Sequence, residues 1–411
     1  MTNRWHIMAI LGLWMVAATP GQTAQPAAKI RNLANPAALG AQSPRFAVLP
    51  AGGILMSWVE RIPEGHALKY GVLRDGRWIR KGEAGRGNEW FVNWSDFPSV
   101  TPIDESFWVA HWLINKEGEN AYHYDIAISV SRDAGMTWSA PSPPYGSATA
   151  AQYGFATIFP VHDSAGVIWL DGRDRSKRNG GGKSAFTLRY ARIHRDGSMD
   201  SEQIIDSSTC TCCWTTVSVT PAGPVAAWRG RTENEIRDHR VARLLADKWS
   251  APAPLGKEGW EIDGCPVNGP MLSARGMQVA AAWFTAQGDR PRVNAAFSSD
   301  GGQSFGQTME VDGKNPSGRV GLSWIDDRTA VISWITAPDL ATMKSHLVLR
   351  KLYTDGSSGR MIRLAEISAG RDSGVPQMVA DGSNVLLAWT GEAPDHGVHM
   401  ISISRDWLRN L

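Results

Sequence analysis

Four cysteines carry the sharpest chemical signal in this 411-residue chain, and it has no others. Cys210, Cys212 and Cys213 stand in the run S-T-C-T-C-C-W, and Cys265 stands in D-G-C-P-V-N-G-P. Thiolates gathered at such short spacing suit a soft cation such as copper(I) or zinc. His239, His123 or a methionine are further ligand candidates. The same four residues could instead form two disulfides, in one of three connectivities, or a redox-active pair. Any pairing inside the first run would close a very short, strained and reducible loop.

A second concentration of charge follows, W-R-G-R-T-E-N-E-I-R-D-H, ending at His239. It supplies Arg229, Glu233, Arg237 and Asp238. Arg45, Arg173, Arg319 and Arg371 occupy comparable points in other segments. Several guanidinium groups converging on one opening would grip a carboxylate or phosphate bidentately. These eight residues are the candidate substrate-binding set, and an acidic sugar or glycan is the expected ligand class.

The elements that must position these groups form a repeat. Trp58, Trp112, Trp169, Trp228, Trp283, Trp334 and Trp389 each lie near the end of an apolar strand such as P-V-A-A-W-R-G, spaced 51 to 59 residues apart. Self-similarity at a fixed period marks a repeat architecture. Each unit has an incoming strand, a Gly or Asp turn, the tryptophan strand, a polar loop, an alternating third strand and a weaker fourth. Four antiparallel strands per unit make a propeller blade. The expected fold is all-β, a propeller of seven four-stranded blades, with six as the alternative. The last unit stops after its third strand, so the stretch around Ala28 to Leu33 is expected to supply the missing fourth strand and close the ring.

Two turns carry a tighter motif. Ser131, Asp133, Gly135, Thr137 and Trp138 read S-x-D-x-G-x-T-W, and Ser298, Asp300, Gly302, Ser304 and Phe305 read S-x-D-x-G-x-S-F. The carboxylate accepts the turn's own amides and the glycine takes a positive φ. This is the Asp-box, or BNR repeat, and the chain resembles the sialidase-like propeller superfamily over nearly all of its mature length. The resemblance implies glycan binding or glycoside hydrolysis at the channel mouth, with arginines from several blades holding a sugar carboxylate. Arg45 stands where the family's first arginine stands, and Arg229 where a second does. The catalytic set is incomplete. Cys213 and Trp214 occupy the place of the family's glutamate. No tyrosine ends a first strand, since Tyr353 lies in a third strand and Tyr145 and Tyr153 come early.

Strand alternation puts the loops between second and third strands, and those between one blade and the next, on one face around the channel. The four cysteines fall in two equivalent loops of that face and are expected to meet there. His111 reads as a packed core histidine. Asp326 and Asp327 read as turn residues on the far face, and Gly180 to Lys183 as a flexible loop without the strand–helix context of a phosphate site.

At the N-terminus, Arg4 and the apolar run Ile7 to Ala18 read as an export signal, too short for a membrane span of about 20 residues. The expected division is a signal peptide over 1–24 and one propeller domain over 25–411, a monomer, periplasmic or secreted. With 42 Lys and Arg against 40 Asp and Glu, nothing points to nucleic acid or membrane partners.

Overall fold

The computed structural model describes residues 29–116, 123–146, 151–174, 186–342, 344–393 and 396–411. The expected signal peptide and the Gly180 to Lys183 run lie outside the described residues. The rest forms seven antiparallel sheets around a common axis. Their innermost strands are Gln42–Val48, Ser99–Pro102, Tyr153–Val161, Thr216–Thr220, Met271–Arg275, Gly318–Trp324 and Gln377–Asp381. Each of these strands touches the next, and the last touches the first, so the ring is closed.

Closure comes from the N-terminus. Ile30–Asn32 pairs with Val398–Ser404 and becomes the outermost strand of blade seven. Ring closure leaves neither end of the sheet set as an open edge. A short helix, Arg405–Arg409, then packs Leu408 into the core of blades six and seven. Among the described residues no helix is long and apolar enough to cross a membrane. Blade two has three full strands, and its fourth is reduced to the bridge between Ile128 and Ser142.

Each blade is anchored by its second-strand tryptophan. All seven are buried, four of them with no exposed surface. Burying an indole of this size yields roughly 5 kcal/mol of gross hydrophobic stabilisation. The indole N–H then needs an acceptor, and five blades provide a carboxylate. Trp58 donates to Glu60 (2.7 Å) and Trp169 to Asp171 (2.9 Å), two residues along the same strand. Trp228 donates to Asp206 (2.8 Å), Trp283 to Glu258 (2.7 Å) and Trp334 to Asp312 (2.6 Å). In these last three the acid comes from the preceding blade or the loop leaving it. The third strand completes the unit. Lys69, Arg189, Arg240 and Asn294 sit directly opposite Trp58, Trp169, Trp228 and Trp283. Each contacts the same carboxylate as its tryptophan.

The Asp-boxes fold as the motif requires. Asp133 accepts from the Thr137 amide and hydroxyl, and Asp300 from the amides of Gln303 and Ser304 and the Ser304 hydroxyl. Gly135 and Gly302 take φ of 87° and 80°. Trp138 and Phe305 pack against the cores beneath. Asp326 and Asp327 sit in the tight turn Ile325–Thr329, on this same face.

Asp206 joins blades three and four through Trp228 and Arg240. Asp206→Ala leaves the buried Trp228 indole without an acceptor and the half-buried Arg240 without its partner, and is expected to cost about 2–3 kcal/mol. Asp206→Asn keeps an acceptor and is expected to cost less. Denaturant midpoints of the two variants check this order.

Candidate functional site

The Asp-box face carries few titratable groups of interest, whereas the opposite face gathers them. The loop 210–215 enters blade four and the segment 255–270 enters blade five, while residues 230–238 link the second and third strands of blade four. All three lie together over one side of the channel mouth.

The thiols converge. Cys210 Sγ lies 3.7 Å from Cys212 Sγ and 3.8 Å from Cys213 Sγ, and the three sulfurs all lie within 4.8 Å of one another. Cys265, from the neighbouring blade's loop, contacts Cys212. None of the four is bridged. Cys210 and Cys213 are buried, Cys212 is half-buried and Cys265 is exposed, so the cluster runs from the interior to solvent. The Cys210 backbone is fixed by its N–H bond to Arg229 O.

Two of the sulfurs are lowered: hydrogen bonding from Cys212 brings the Cys265 thiol down to about 6, and Cys210 is lowered as well. Hydrogen bonds from Cys212 and Cys213 hold the Cys210 thiol well below its usual range, and Arg229 and Arg237 add to the effect. Burial pushes Cys213 up to about 12, and hydrogen bonding to Cys210 pushes Cys212 up. The shifts run in opposite directions within the trio, with Cys210 lowered and its two neighbours raised. Arg237 donates to Cys210 Sγ at 3.4 Å and pairs with Glu235 (2.8 Å), which also pairs with Arg231 (2.7 Å).

The arginines do not form an open clamp. Arg229 is 2% exposed, and its guanidinium donates to the carbonyls of Arg237, Asn268 and Phe284 while lying 5.0 Å from the Trp260 ring. It is a strut between blades four and five. Arg173 is taken up by Asp171 and Glu202. Arg319 donates to Ser373 Oγ and Gly374 O over the Trp94 ring. Arg45 donates to Gln377 and lies over Phe97. Asp238 accepts the amides of Gly259 and Trp260. Only Glu233 and Arg371 of the expected set are exposed on the surface.

His239 is not among the ligand atoms gathered with the thiols. It is fully buried, packs 6.3 Å from the Trp283 ring and bonds the Asn268 backbone. Antiparallel pairing opposite Arg229 carries it into the wall between blades four and five. His123 likewise lies outside the thiol group. His111 is buried in the core and bonds Ser99 at 3.0 Å, and burial and Arg45 lower it to about 3.

A feature with no sequence signal of its own shapes the mouth. The first strands of blades one, three and six each begin with a bulge whose extra residue, Ser43, Phe155 or Arg319, has φ of 53–56°. Positive φ is costly for these residue types, and such strain persists only where surroundings enforce it. Each bulge N–H is held by a side chain of the preceding blade: Thr390, Asp96 or Asn268. Asp96 and Asn268 stand at the same point, three residues before their blades' first strands. A Cβ on Gly154 or Gly318 would come within 2.2 Å of Asp96 or 2.4 Å of Asn268, so both positions need glycine. Asp96 thus fills an asparagine's role with an acid. Burial raises it to about 7 despite bonds from the Phe155 amide and Tyr124.

No family model matches the chain, and no curated protein matches it in sequence. Solved structures do resemble it. An ulvan lyase of polysaccharide lyase family 25 is 12% identical, with a TM-score of 0.55, over 91% of this chain and 96% of that one. An α-L-arabinofuranosidase of Fusarium graminearum is 13% identical, with a TM-score of 0.50, over 89% and 93%. A protein of unknown function from Dyadobacter fermentans is 12% identical, with a TM-score of 0.50, over 92% and 99%. In fold the chain is a propeller of seven blades.

Two outcomes test the mouth. Arg229→Ala strips donors from buried carbonyls and is expected to lower stability by about 3–5 kcal/mol, read as a fall in denaturation midpoint. Asp96 binds its proton more tightly folded than unfolded, so it removes stability as pH rises from about 4 to about 7. Asp96→Asn is expected to match the parent chain near pH 4 and to exceed it by about 2–4 kcal/mol at pH 8, measured by unfolding at both pH values.

Proposed function

We propose that this protein is an exported propeller whose channel mouth holds a thiophilic closed-shell cation, copper(I) or zinc, on Cys210, Cys212 and Cys213 with Cys265 at the solvent side. The observation that carries the reading is the convergence of the thiols. Zinc–thiolate bonds of about 2.3 Å at tetrahedral angles set sulfurs about 3.8 Å apart, and the Cys210 contacts are 3.7 and 3.8 Å. Unbonded sulfurs also pack at such distances, and the charge around the cluster separates the two cases.

Those surroundings are cationic. Arg229, Arg231 and Arg237 against Glu235 leave a net charge of +2 beside the cluster. Copper(I) on three thiolates, or zinc on four, carries −2. Without a cation the crowded sulfurs keep protons rather than carry three adjacent charges, which leaves the surrounding arginines less fully matched. The set matches a filled site better than a bare one. All-sulfur donors favour soft cations over magnesium, calcium or manganese. Export rests on Arg4 and the Ile7 to Ala18 run, and a periplasmic or secreted setting would expose bare thiols to oxidation.

Protein purified without chelators is expected to contain about one copper or zinc per chain. Cys210→Ser and Cys213→Ser are expected to lose it. Elemental analysis beside a thiol count decides. Absence of metal together with zero free thiols returns the cysteines to disulfides and ends the proposal.

A second reading is glycan binding at the same mouth. It is supported by fold neighbours that include a polysaccharide lyase and an arabinofuranosidase. Arg371 is an exposed cation on that face. Binding of an acidic sugar on a glycan array, lost in Arg371→Ala with metal content unchanged, would carry this reading. The absence of binding would remove it.

A further inference from the structure

The channel itself holds a second site, reached from the other end. A cavity of about 460 Å³ runs inside the ring, lined by the first strands of blades one to four. Arg45 is its only charged lining residue. Its one bonded side-chain partner among the described residues is the neutral amide of Gln377, at 2.8 Å. His111 also lines the cavity and is neutral, its Nδ1 turned to Ser99. The remaining polar lining is hydroxyl, from Thr101, Thr157 and Thr216 among others.

Arg45 is half-buried among apolar walls with no acid beside it, so its guanidinium lacks a counter-charge there. The missing partner is an anion carrying one charge. The walls define the rest of it. Ile103, Ile158, Phe159, Val217 and Val219 are apolar, so an anion with an apolar body fits better than a fully hydrated one.

The direction of entry follows from topology. Pro50, Pro102, Pro160 and Val219 line the cavity at or just beyond the far ends of their first strands, on the Asp-box face. At the mouth end, Phe97 lies 4.7 Å beneath Arg45 and packs with Phe155, Trp214 and Val375 in one apolar cluster. This arrangement differs from a sugar-carboxylate clamp at the mouth, because no second arginine lines the cavity.

We infer that the channel binds a small monocarboxylate with an apolar body, its carboxylate on Arg45, entering from the Asp-box face. The inference is independent of the thiol site. Isothermal titration calorimetry of the mature chain at pH 7 with benzoate and hexanoate is expected to show saturable one-to-one binding. Benzyl alcohol, which matches benzoate's ring without its charge, is expected to bind at least tenfold more weakly. Arg45→Met is expected to weaken benzoate at least tenfold and to leave metal content unchanged. Val219 is 45% exposed at the rim, so Val219→Trp narrows the entrance without touching Arg45 and is expected to abolish binding in a folded protein. Lack of saturable binding by both acids, equal affinity in Val219→Trp, or saturation by chloride alone would overturn the inference.

Discussion

The interaction on which this propeller depends is the hydrogen bond from a buried tryptophan indole to a carboxylate. An indole this deeply buried contributes a large apolar surface but brings one donor that must be satisfied. A carboxylate meets that need and creates another, since a buried anion requires a cation or further donors. In four blades the residue opposite the tryptophan on the third strand supplies it, as Lys69, Arg189, Arg240 and Asn294 do. The solution of one burial problem thus fixes three strands relative to one another. Where the acid comes from the preceding blade, as Asp206 does, the same triad also ties neighbouring blades together, and Asp312 does so through Trp334 alone.

That constraint decides what the mouth can do. Loops leaving rigid blades are held close enough for side chains to bond across blade boundaries, and most arginines there are spent that way. Arg229 binds three carbonyls, two of them from blade five and the loop entering it, and Arg319 spans blades six and seven. Asp96 and Asn268 clamp the strained starts of blades three and six. The clamped bulges narrow the mouth with Phe155, Phe97 and Trp214, which pack together. The thiol cluster is the remaining reactive group, and the arginines that do not reach substrate surround it instead.

The fold was legible in the sequence because its determinants are periodic. A tryptophan near the end of every second strand, and an Asp-box whose bonds are local, both survive as patterns in one dimension. The closing strand could also be read, since the last unit lacked a fourth and Ile30–Asn32 was at hand. The arginines were harder. Arg229 resembles a ligand-binding residue by position, and only the distant carbonyls of Asn268 and Phe284 reveal it as a strut. His239 looked available beside the cysteines, but strand pairing with Arg229 turns it into an interblade wall. The role of Asp96 had no one-dimensional signal. It emerges only when blades two and five are superposed in mind and Asn268 is found at the same place.

The channel therefore has two chemically distinct ends, and the cause is the aromatic plug between them. On the mouth side, anionic sulfur is matched by Arg229, Arg231 and Arg237 against Glu235. On the Asp-box side, Arg45 has no anion at all. Charge of either sign loses most of its hydration within the ring, so each end must meet its counter-charge locally. The mouth brings cations to meet thiolates and leaves room for a metal to reduce the excess of negative charge. The cavity brings a lone cation to apolar walls and leaves room for an anion to complete it. A ring of sheets that buries its own tryptophans thus leaves an apolar-walled channel, and the absence of an acid beside Arg45 in that lining makes the arginine a binding group.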